Sequence, residues 1–552
     1  MKEYFARYEI WKNNAKDQDV LNSLAQMQND EEKMQDAFYK DIEFGTAGLR
    51  GIMEAGPNRM NVYTVYRATI GVAQYMKKHG YSSCAITYDS RNNSEKFSRV
   101  AAATLASFGI TVYITKECMP TPFLSFMVRY YSADMGLNVT ASHNASQYNG
   151  YKVYDGAGCQ LTDDAANELT EIIQRVDPFA SPLPEFSLYE NTLVRYTDAE
   201  TEEKYVQAVL AESLNRAENV SVVYTPLNGA GYRLVPEVLR RCGVDDLSIV
   251  SEQAMPNGNF PTCPYPNPEN KSTLALAISL AEKNGADLVV ANDPDSDRLG
   301  VAVRTSNGTQ ILSGNDVGVL LCDYVLSSLA QNNSLPQNPV VVKTIVSTPM
   351  ADVLAKKRGA QVVDVLTGFK YIGNVINKLE RQGAADSFVF GFEESCGYLK
   401  GSYVRDKDGV VAAMLVCQCA SLYKKQGKTL ADRLNELKSE FGNFEMQTFS
   451  YTFSGVEGAE RKNRIFADLR VRPLQFLGDS KIVDSCDFLT QTKYDMPKTN
   501  VLRYYGEDGS RLILRPSGTE PLVKCYVSVV GSEQQTKEKT QKIKKMLDGI
   551  FG

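Results

Sequence analysis

The sequence predicts an α/β protein: three similar mixed-sheet α/β domains in series, followed by a smaller C-terminal α+β domain. Two observations carry this prediction. One unit recurs three times between residues 85 and 365, as an apolar run, a polar loop, a helical stretch, a glycine and a second apolar run. After residue 510 the pattern changes to strand-like alternation around Arg515-Pro516-Ser517-Gly518-Thr519, ending in a Lys-rich helical stretch. A length of 552 residues also exceeds one core, so roughly three to five domains are expected.

Residues 1 to about 40 read as one or two charged amphipathic helices anchored by the lone Trp11. Phe44 to Gly51 follows, where glycines free the backbone to approach a ligand and Arg50 can fork onto an oxyanion. An ordinary turn is the competing reading. The first repeat unit runs from the strand Ala85–Tyr88 through a capping loop at Asp89–Ser94 and a helix over Phe97–Phe108. Gly109 stops the helix, and a strand follows at Ile110–Ile114. The second has strands at Val220–Tyr224 and Leu247–Val250 with Gly243 between them. The third has strands at Val340–Ile345 and Gln361–Val365 with Gly359. Each reads as a strand, an N-capped helix, a glycine stop and a second strand, which favours parallel pairing through a right-handed crossover. Pro256 to Asn270 reads as a long loop and Gly409 to Leu422 as a buried helix. The boundaries fall at 1–40, 41–215, 216–325, 326–443 and 444–552.

Composition removes several function classes. The net charge of −6 argues against a nucleic-acid surface. Eleven cysteines without a CxxC pair fit reduced thiols of a cytoplasmic protein rather than a disulfide framework or zinc site. The charged N-terminus has no signal-peptide core, and no apolar run approaches the ~18 residues a membrane span needs. Two histidines leave no room for chemistry built on several imidazoles.

Five loops carry candidate chemistry. Thr140-Ala141-Ser142-His143-Asn144 follows the apolar run Met135–Val139 and puts an exposed, flexible serine among anion-binding groups, with Lys152 in reach. An ordinary Ser/Asn turn is the alternative. Asp293, Asp295 and Asp297 close a buried strand, and carboxylates at i, i+2 and i+4 can converge on a hard cation. An EF-hand fails, because Arg298 stands where glycine is needed and Arg304 where glutamate is. Mg²⁺ completed by a phosphate oxygen is the natural choice. Thr367-Gly368-Phe369-Lys370 lies at the carboxyl end of a sheet, where α/β domains bind ligands. Glu393 and Ser395 point the same way if their segment stays extended, and can grip vicinal hydroxyls; Arg405 and Lys407 add a positive pair. Arg515, Ser517, Gly518 and Thr519 supply a guanidinium, two hydroxyls and a glycine-freed backbone, a phosphate nest or a plain turn.

Taken together, FGTAGLRG, TASHN with NGYK, DPDSDR, GFEES and RPSGTEP resemble the α-D-phosphohexomutase superfamily over residues 40 to 552, closest to its bacterial phosphoglucomutase and phosphopentomutase branch. The resemblance implies four domains around a central cleft and a phosphoserine at Ser142 whose phosphate completes the Mg²⁺ site. It implies that Arg298 neutralises the transferring group, that Glu393 and Ser395 hold sugar hydroxyls, and that Arg515, Ser517, Gly518 and Thr519 bind the non-reacting phosphate. Lys152 and Lys407 match its candidate proton-transfer lysines, and Thr367 and Gly368 its specificity loop. Arg50 and His143 are expected among the catalytic groups, and Lys370 and Arg405 among the substrate-binding ones. One departure bears on loop rigidity: Ala145-Ser146 follows Asn144, where many relatives place proline.

The implied activity is interconversion of glucose 1-phosphate and glucose 6-phosphate through a bisphosphate, with glucose 1,6-bisphosphate as activator. Mannose, ribose or deoxyribose phosphates are alternatives, and a non-catalytic phosphosugar-binding protein is the alternative of another class. A serine hydrolase is disfavoured, since Ser142 lacks the G-x-S-x-G elbow and an adjacent His143 should point elsewhere. An aspartyl-phosphate enzyme using Asp293 is a further rival. The expected partner is a small phosphosugar, without nucleic acid or membrane, for a monomer or weak homo-oligomer in the cytoplasm.

Overall fold

The computed structural model describes residues 2–45, 48–184, 192–517 and 521–552. Four sheets form among them, in chain order. The first takes β1 (Leu49–Ile52), β2 (Ser83–Tyr88), β3 (Thr111–Ile114), β4 (Met135–Val139), β5 (Tyr148–Asp155) and β6 (Val194–Tyr196) in the order β1-β5-β4-β2-β3-β6. The second takes β7 (Ser221–Thr225), β8 (Asp246–Ile249), β9 (Leu288–Asn292), β10 (Leu299–Thr305) and β11 (Gly308–Leu312) as β11-β10-β9-β7-β8. The third takes β12 (Val340–Thr344), β13 (Gln361–Val365), β14 (Phe388–Glu393) and β15 (Gly397–Leu399) as β13-β12-β14-β15.

The three sheets share one plan. A central strand (β2, β7 or β12) pairs in parallel with the strand after its helix (β3, β8 or β13). On its other side it pairs in parallel with a third strand (β4, β9 or β14). That third strand turns back into an antiparallel partner (β5, β10 or β15). Mixed sheets result, with parallel strands buried on both faces, as the all-buried run Leu288–Asn292 illustrates. The glycine stops behave as expected: Gly109, Gly243 and Gly359 all take positive φ. The caps do so only in part. The helices Ser94–Ser107, Leu234–Arg241 and Met350–Lys357 have no side-chain hydrogen bond at their N-cap residues, although Thr348 Oγ1 accepts the N–H of Met350 at 3.2 Å. The preceding loop of the first unit is committed elsewhere, as described below.

The N-terminal stretch forms three helices, not one or two: Glu3–Asn14, Gln18–Met27 and Glu31–Phe38. Asp17 and Asp30 each accept main-chain N–H groups at a new helix start, dividing the charged stretch. These helices share the first sheet's core: Trp11 meets Phe38, Tyr63 and Phe179 edge-on. The helix Gly409–Lys424 is buried along nearly its whole length between the second and third sheets.

The last sheet is antiparallel throughout. Its strands are β16 (Phe444–Thr452), β17 (Phe476–Leu477), β18 (Ser480–Asp487), β19 (Leu502–Gly506), β20 (Arg511–Pro516) and β21 (Leu522–Val530), in the order β16-β21-β20-β19-β18-β17. The helices Gly455–Val471 and Glu533–Phe551 accompany it. A separate apolar cluster joins it to the third sheet, with Ile345, Val346 and Leu366 against Phe488, Val501, Ile513 and Tyr526. Arg511 Nη2 donates to Ser347 O at 2.6 Å across the same seam.

Candidate active site

In each of the first three sheets, the loop between the third strand and its antiparallel partner carries candidate chemistry. The β4–β5 loop holds Ser142, the β9–β10 loop holds the three aspartates, and the β14–β15 loop follows Glu393. Each contains a non-glycine residue at positive φ: Ser142 at 52°, Ser296 at 53° and Cys396 at 63°. The loops are tied to one another. Thr121 donates to Asp295 through both its main-chain N–H and its hydroxyl. Leu299 N–H donates to Cys396 O, and Arg298 Nη1 to Ser395 O at 3.1 Å.

Asp293, Asp295 and Asp297 are at most 1% exposed, and one oxygen from each lies within 4.8 Å of the others. Such burial rules out a solvated acidic turn. Lys152, projecting from β5, places Nζ 3.0 Å from Asp295 Oδ2, and Lys407 places Nζ 3.0 Å from Asp297 Oδ2. Burial and mutual repulsion hold the Asp293 carboxyl well above its usual range and push Asp297 up to about 6. Asp295, against the same burial, is held low by Lys152. Asp295 Oδ1 and Asp297 Oδ1 are buried without a hydrogen-bond partner. Converging carboxylates with orphaned oxygens fit a hard divalent cation.

Ser142 Oγ donates to Asp293 Oδ2 at 3.0 Å, so the serine stands at the metal-type cluster. It is 4% exposed and not the free loop serine expected. His143 does not point away: its Nδ1 is 3.2 Å from Ser142 Oγ. Burial, then Arg298 and Arg50, hold its imidazole well below its ordinary range and therefore neutral. Arg50 Nη1 donates to Asn144 Oδ1 at 3.0 Å, joining the glycine-rich segment to this loop. Arg298 is gripped by Glu269 at 2.8 Å, from the long loop 256–270.

Four matched domains fix the family. Phosphoglucomutase/phosphomannomutase models match alpha/beta/alpha domain I at residues 41–179, domain II at 203–308, domain III at 313–441 and the C-terminal domain at 464–546. The chain belongs to this family. A phosphoglucomutase of Staphylococcus epidermidis is 34% identical over 528 residues, covering 93% of this chain and 95% of its own. One of Staphylococcus haemolyticus is 35% identical over 509 residues, covering 89% and 91%. The fold is also that of a putative phosphomannomutase from Thermus thermophilus, with a TM-score of 0.70 at 21% identity over 92% of this chain and 99% of that one. Paramecium parafusin, a phosphoglucomutase, gives a TM-score of 0.68 at 17% identity, over 92% and 94%. As a member of this phosphoglucomutase/phosphomannomutase family, the chain is an enzyme of the phosphohexomutase type. No helix among its described residues is long and apolar enough to cross a membrane.

The remaining predicted residues divide. A cavity of about 190 Å³ between the third and last sheets brings Thr367, Lys370 and Arg515 together, with Asp163 and Tyr371. Lys370 Nζ is 2.6 Å from Asp163 Oδ1. Gly368, at φ 114°, starts the helix Phe369–Arg381 in a conformation that suits glycine. Ser517 closes β20, its N–H donating to Leu522 O; Gly518 and Thr519 lie outside the described residues, as do Thr46 and Ala47. Glu393 lies 4.0 Å from Lys407 Nζ. Its segment is not extended through Ser395, because the chain turns at 394–396 before β15. Arg405 departs from expectation altogether. It is fully buried, and its guanidinium is consumed by Asn377, Ser402 O, Val404 O and Glu380, so it braces the helix Phe369–Arg381 and offers nothing to a substrate. Sequence reasoning gave no site role to Arg91, Asp89, Thr121 or Glu269: it read Asp89 and Arg91 as part of a capping loop and Glu269 as part of a long loop. Glu394 was in view but unassigned; it accepts from Thr344 Oγ1 at 2.9 Å.

Proposed function

We propose that this phosphoglucomutase/phosphomannomutase family member interconverts glucose 1-phosphate and glucose 6-phosphate through a phosphoserine at Ser142. The single observation that carries the reading is the 3.0 Å contact between Ser142 Oγ and Asp293 in a fully buried carboxylate cluster. A seryl phosphate there would lie beside the two aspartates with orphaned oxygens. In the first half-reaction the Ser142 Oγ–phosphorus bond breaks as a sugar hydroxyl oxygen bonds to phosphorus; the hydroxyl proton leaves to a base and the freed Ser142 Oγ takes up a proton. The product is glucose 1,6-bisphosphate. After it turns end for end, Ser142 Oγ gives up its proton as it bonds to the other phosphate, and the released sugar oxygen regains one.

Asp293, Asp295 and Asp297 would hold Mg²⁺ together with a phosphate oxygen, supplying charge neutralisation at the transferring group. Arg298 adds a fixed cation there. Lys152 and Lys407 flank the cluster and are the proton-transfer candidates, while neutral His143 and Arg50 orient the loop's polar groups. Glu393 and Ser395 take sugar hydroxyls. Arg515, Ser517, Gly518 and Thr519, with Lys370 and the Thr367–Gly368 loop, take the non-reacting phosphate. Glucose 1,6-bisphosphate serves as activator because it re-phosphorylates Ser142. The relatives named phosphoglucomutase support glucose as the sugar, and free cysteines support a cytoplasmic setting, where the enzyme works as a monomer or weak homo-oligomer.

Turnover of glucose, mannose and ribose 1-phosphates, each primed with its bisphosphate, tests the substrate. Glucose 1-phosphate is expected to give the highest kcat/KM. A higher value for either rival removes glucose from the reading while leaving the phosphoserine mechanism in place.

A further inference from the structure

Arg91 lies in the loop between β2 and the helix Ser94–Ser107 and is 3% exposed. Its guanidinium donates to four main-chain carbonyls, three of the Ser142 loop and one at the start of β5. Nη1 reaches Ala145 O at 2.8 Å and Tyr148 O at 3.1 Å; Nη2 reaches Ser142 O and Asn144 O. Asp89 Oδ2 lies 3.2 Å from Arg91 Nε and accepts the Thr140 hydroxyl at 2.6 Å. The Thr140 oxygen in turn accepts the Ser142 N–H at 2.8 Å. Phe260, from the second domain's long loop, covers the guanidinium with its ring centroid 5.1 Å away.

A buried guanidinium is costly unless its charge and donors are met. Here one carboxylate meets the charge, and one short loop meets most of the donors. A surface turn needs no such device, since its carbonyls are satisfied by water or by its own main chain. The held loop is also strained: Ser142, at φ 52°, occupies a left-handed region that a non-glycine residue keeps only where its surroundings impose it. Both ends of the restraint meet at Ser142, through its carbonyl from Arg91 and through its N–H from Asp89 by way of Thr140.

We propose that Arg91, braced by Asp89, is the positioning residue of the phosphoryl-carrying serine. It holds Ser142 in its left-handed conformation so that Oγ faces Asp293; the inference rests on Ser142 being the phosphate carrier. A lysine at position 91 keeps the charge but cannot fork to four carbonyls, so it separates positioning from simple charge compensation.

The test charges wild type, Arg91→Lys and Arg91→Ala with glucose 1,6-bisphosphate. It measures phosphate on Ser142 by mass spectrometry, kcat and KM for glucose 1-phosphate, and thermal unfolding. Wild type is expected to carry phosphate on Ser142. Arg91→Lys is expected to fold and to keep KM within about threefold while kcat falls about 10²-fold, the scale of a small misplacement of reacting atoms. Added guanidinium is expected to restore part of the turnover of Arg91→Ala. Wild type without phosphate on Ser142 overturns the phosphoserine reading itself. Wild type that labels while Arg91→Lys turns over at the wild-type rate overturns the positioning role alone. So does a loss, in both variants, that only follows the unfolded fraction and is not rescued by guanidinium.

Discussion

Lys407 and Asp297 face each other across 3.0 Å, an ammonium delivered ahead of the helix Gly409–Lys424 onto a carboxylate of the second sheet's loop. Both are buried, and Asp406 and Glu393 lie within 4.0 Å of the same nitrogen. Lys407→Met is expected to lower kcat/KM about 10²- to 10³-fold, the usual loss when one electrostatic contributor goes. It also takes the nearest cation from Asp297, leaving Lys152 at 3.8 Å and Arg298 at 3.9 Å, and is expected to lower stability. Adding Asp297→Asn should recover stability in urea unfolding without recovering turnover.

Binding of the proposed divalent cation at the carboxylate cluster is expected to raise stability. Mg²⁺ at a hundred times its Kd is expected to stabilise the fold by about 2.7 kcal/mol through mass action, read as a higher Tm than with EDTA. Asp295→Asn should abolish most of that increment, and Mn²⁺ binding followed by electron paramagnetic resonance should weaken in parallel. An Mg²⁺ increment equal to wild type in Asp295→Asn would place the ion elsewhere.

Glu394 gives the protein a pH-dependent weakness. Burial first, then the neighbouring Glu393, raises its carboxyl from 4.5 to about 7. The unfolded chain releases this proton near 4.5 while the folded chain keeps it to about 7. The group therefore contributes nothing adverse below 4.5 and subtracts stability progressively as pH rises through 7. The full shift corresponds to about 3 kcal/mol, and partial exposure of the side chain reduces this to about 1–2 kcal/mol. Glu394→Gln is expected to match wild type in urea at pH 4.5 and exceed it by that amount at pH 8.

In the proposed mechanism one Arg515 site receives either end of the sugar, so the last domain is expected to move against the third, across their seam, between half-reactions. Lys378 and Asp495 meet across this seam at 2.8 Å. Lys378→Cys with Asp495→Cys, bridged by a short bis-maleimide, should lower kcat at least tenfold, reversed by a cleavable linker. Unchanged affinity and rate in the bridged protein would end the idea.

Much of this molecule is legible in its sequence because the signals are local. Continuous apolar runs such as Leu288–Asn292 announce buried parallel strands, and glycines at Gly109, Gly243 and Gly359 mark the one conformation that ends each helix. Three carboxylates two residues apart leave few readings other than a cation. What stayed illegible depends on distant partners. Arg91 is a lone arginine whose role exists only once the β4–β5 loop folds against it. Arg405 sits beside Lys407 in sequence but faces the opposite way. The turn over 394–396 breaks the extension that would have aligned Glu393 with Ser395, and nothing in Glu394-Ser395-Cys396 gives warning of it. Ala145 follows Asn144 where a proline would stiffen the chain; its carbonyl is instead pinned by Arg91.

The three loops occupy one slot, repeated in three copies of one sheet plan, and the copies have divided the labour. In the proposed mechanism one copy presents the phosphate-carrying oxygen, one the acidic cradle, one the Glu393 grip beside Lys407. On that reading no single copy holds enough to act, since Ser142 stands in the first and its facing aspartate in the second. Catalytic competence in this chain is thus a measure of registration between modules. A substitution at an interdomain contact such as Thr121 to Asp295 reaches the chemistry as directly as one among the reacting groups.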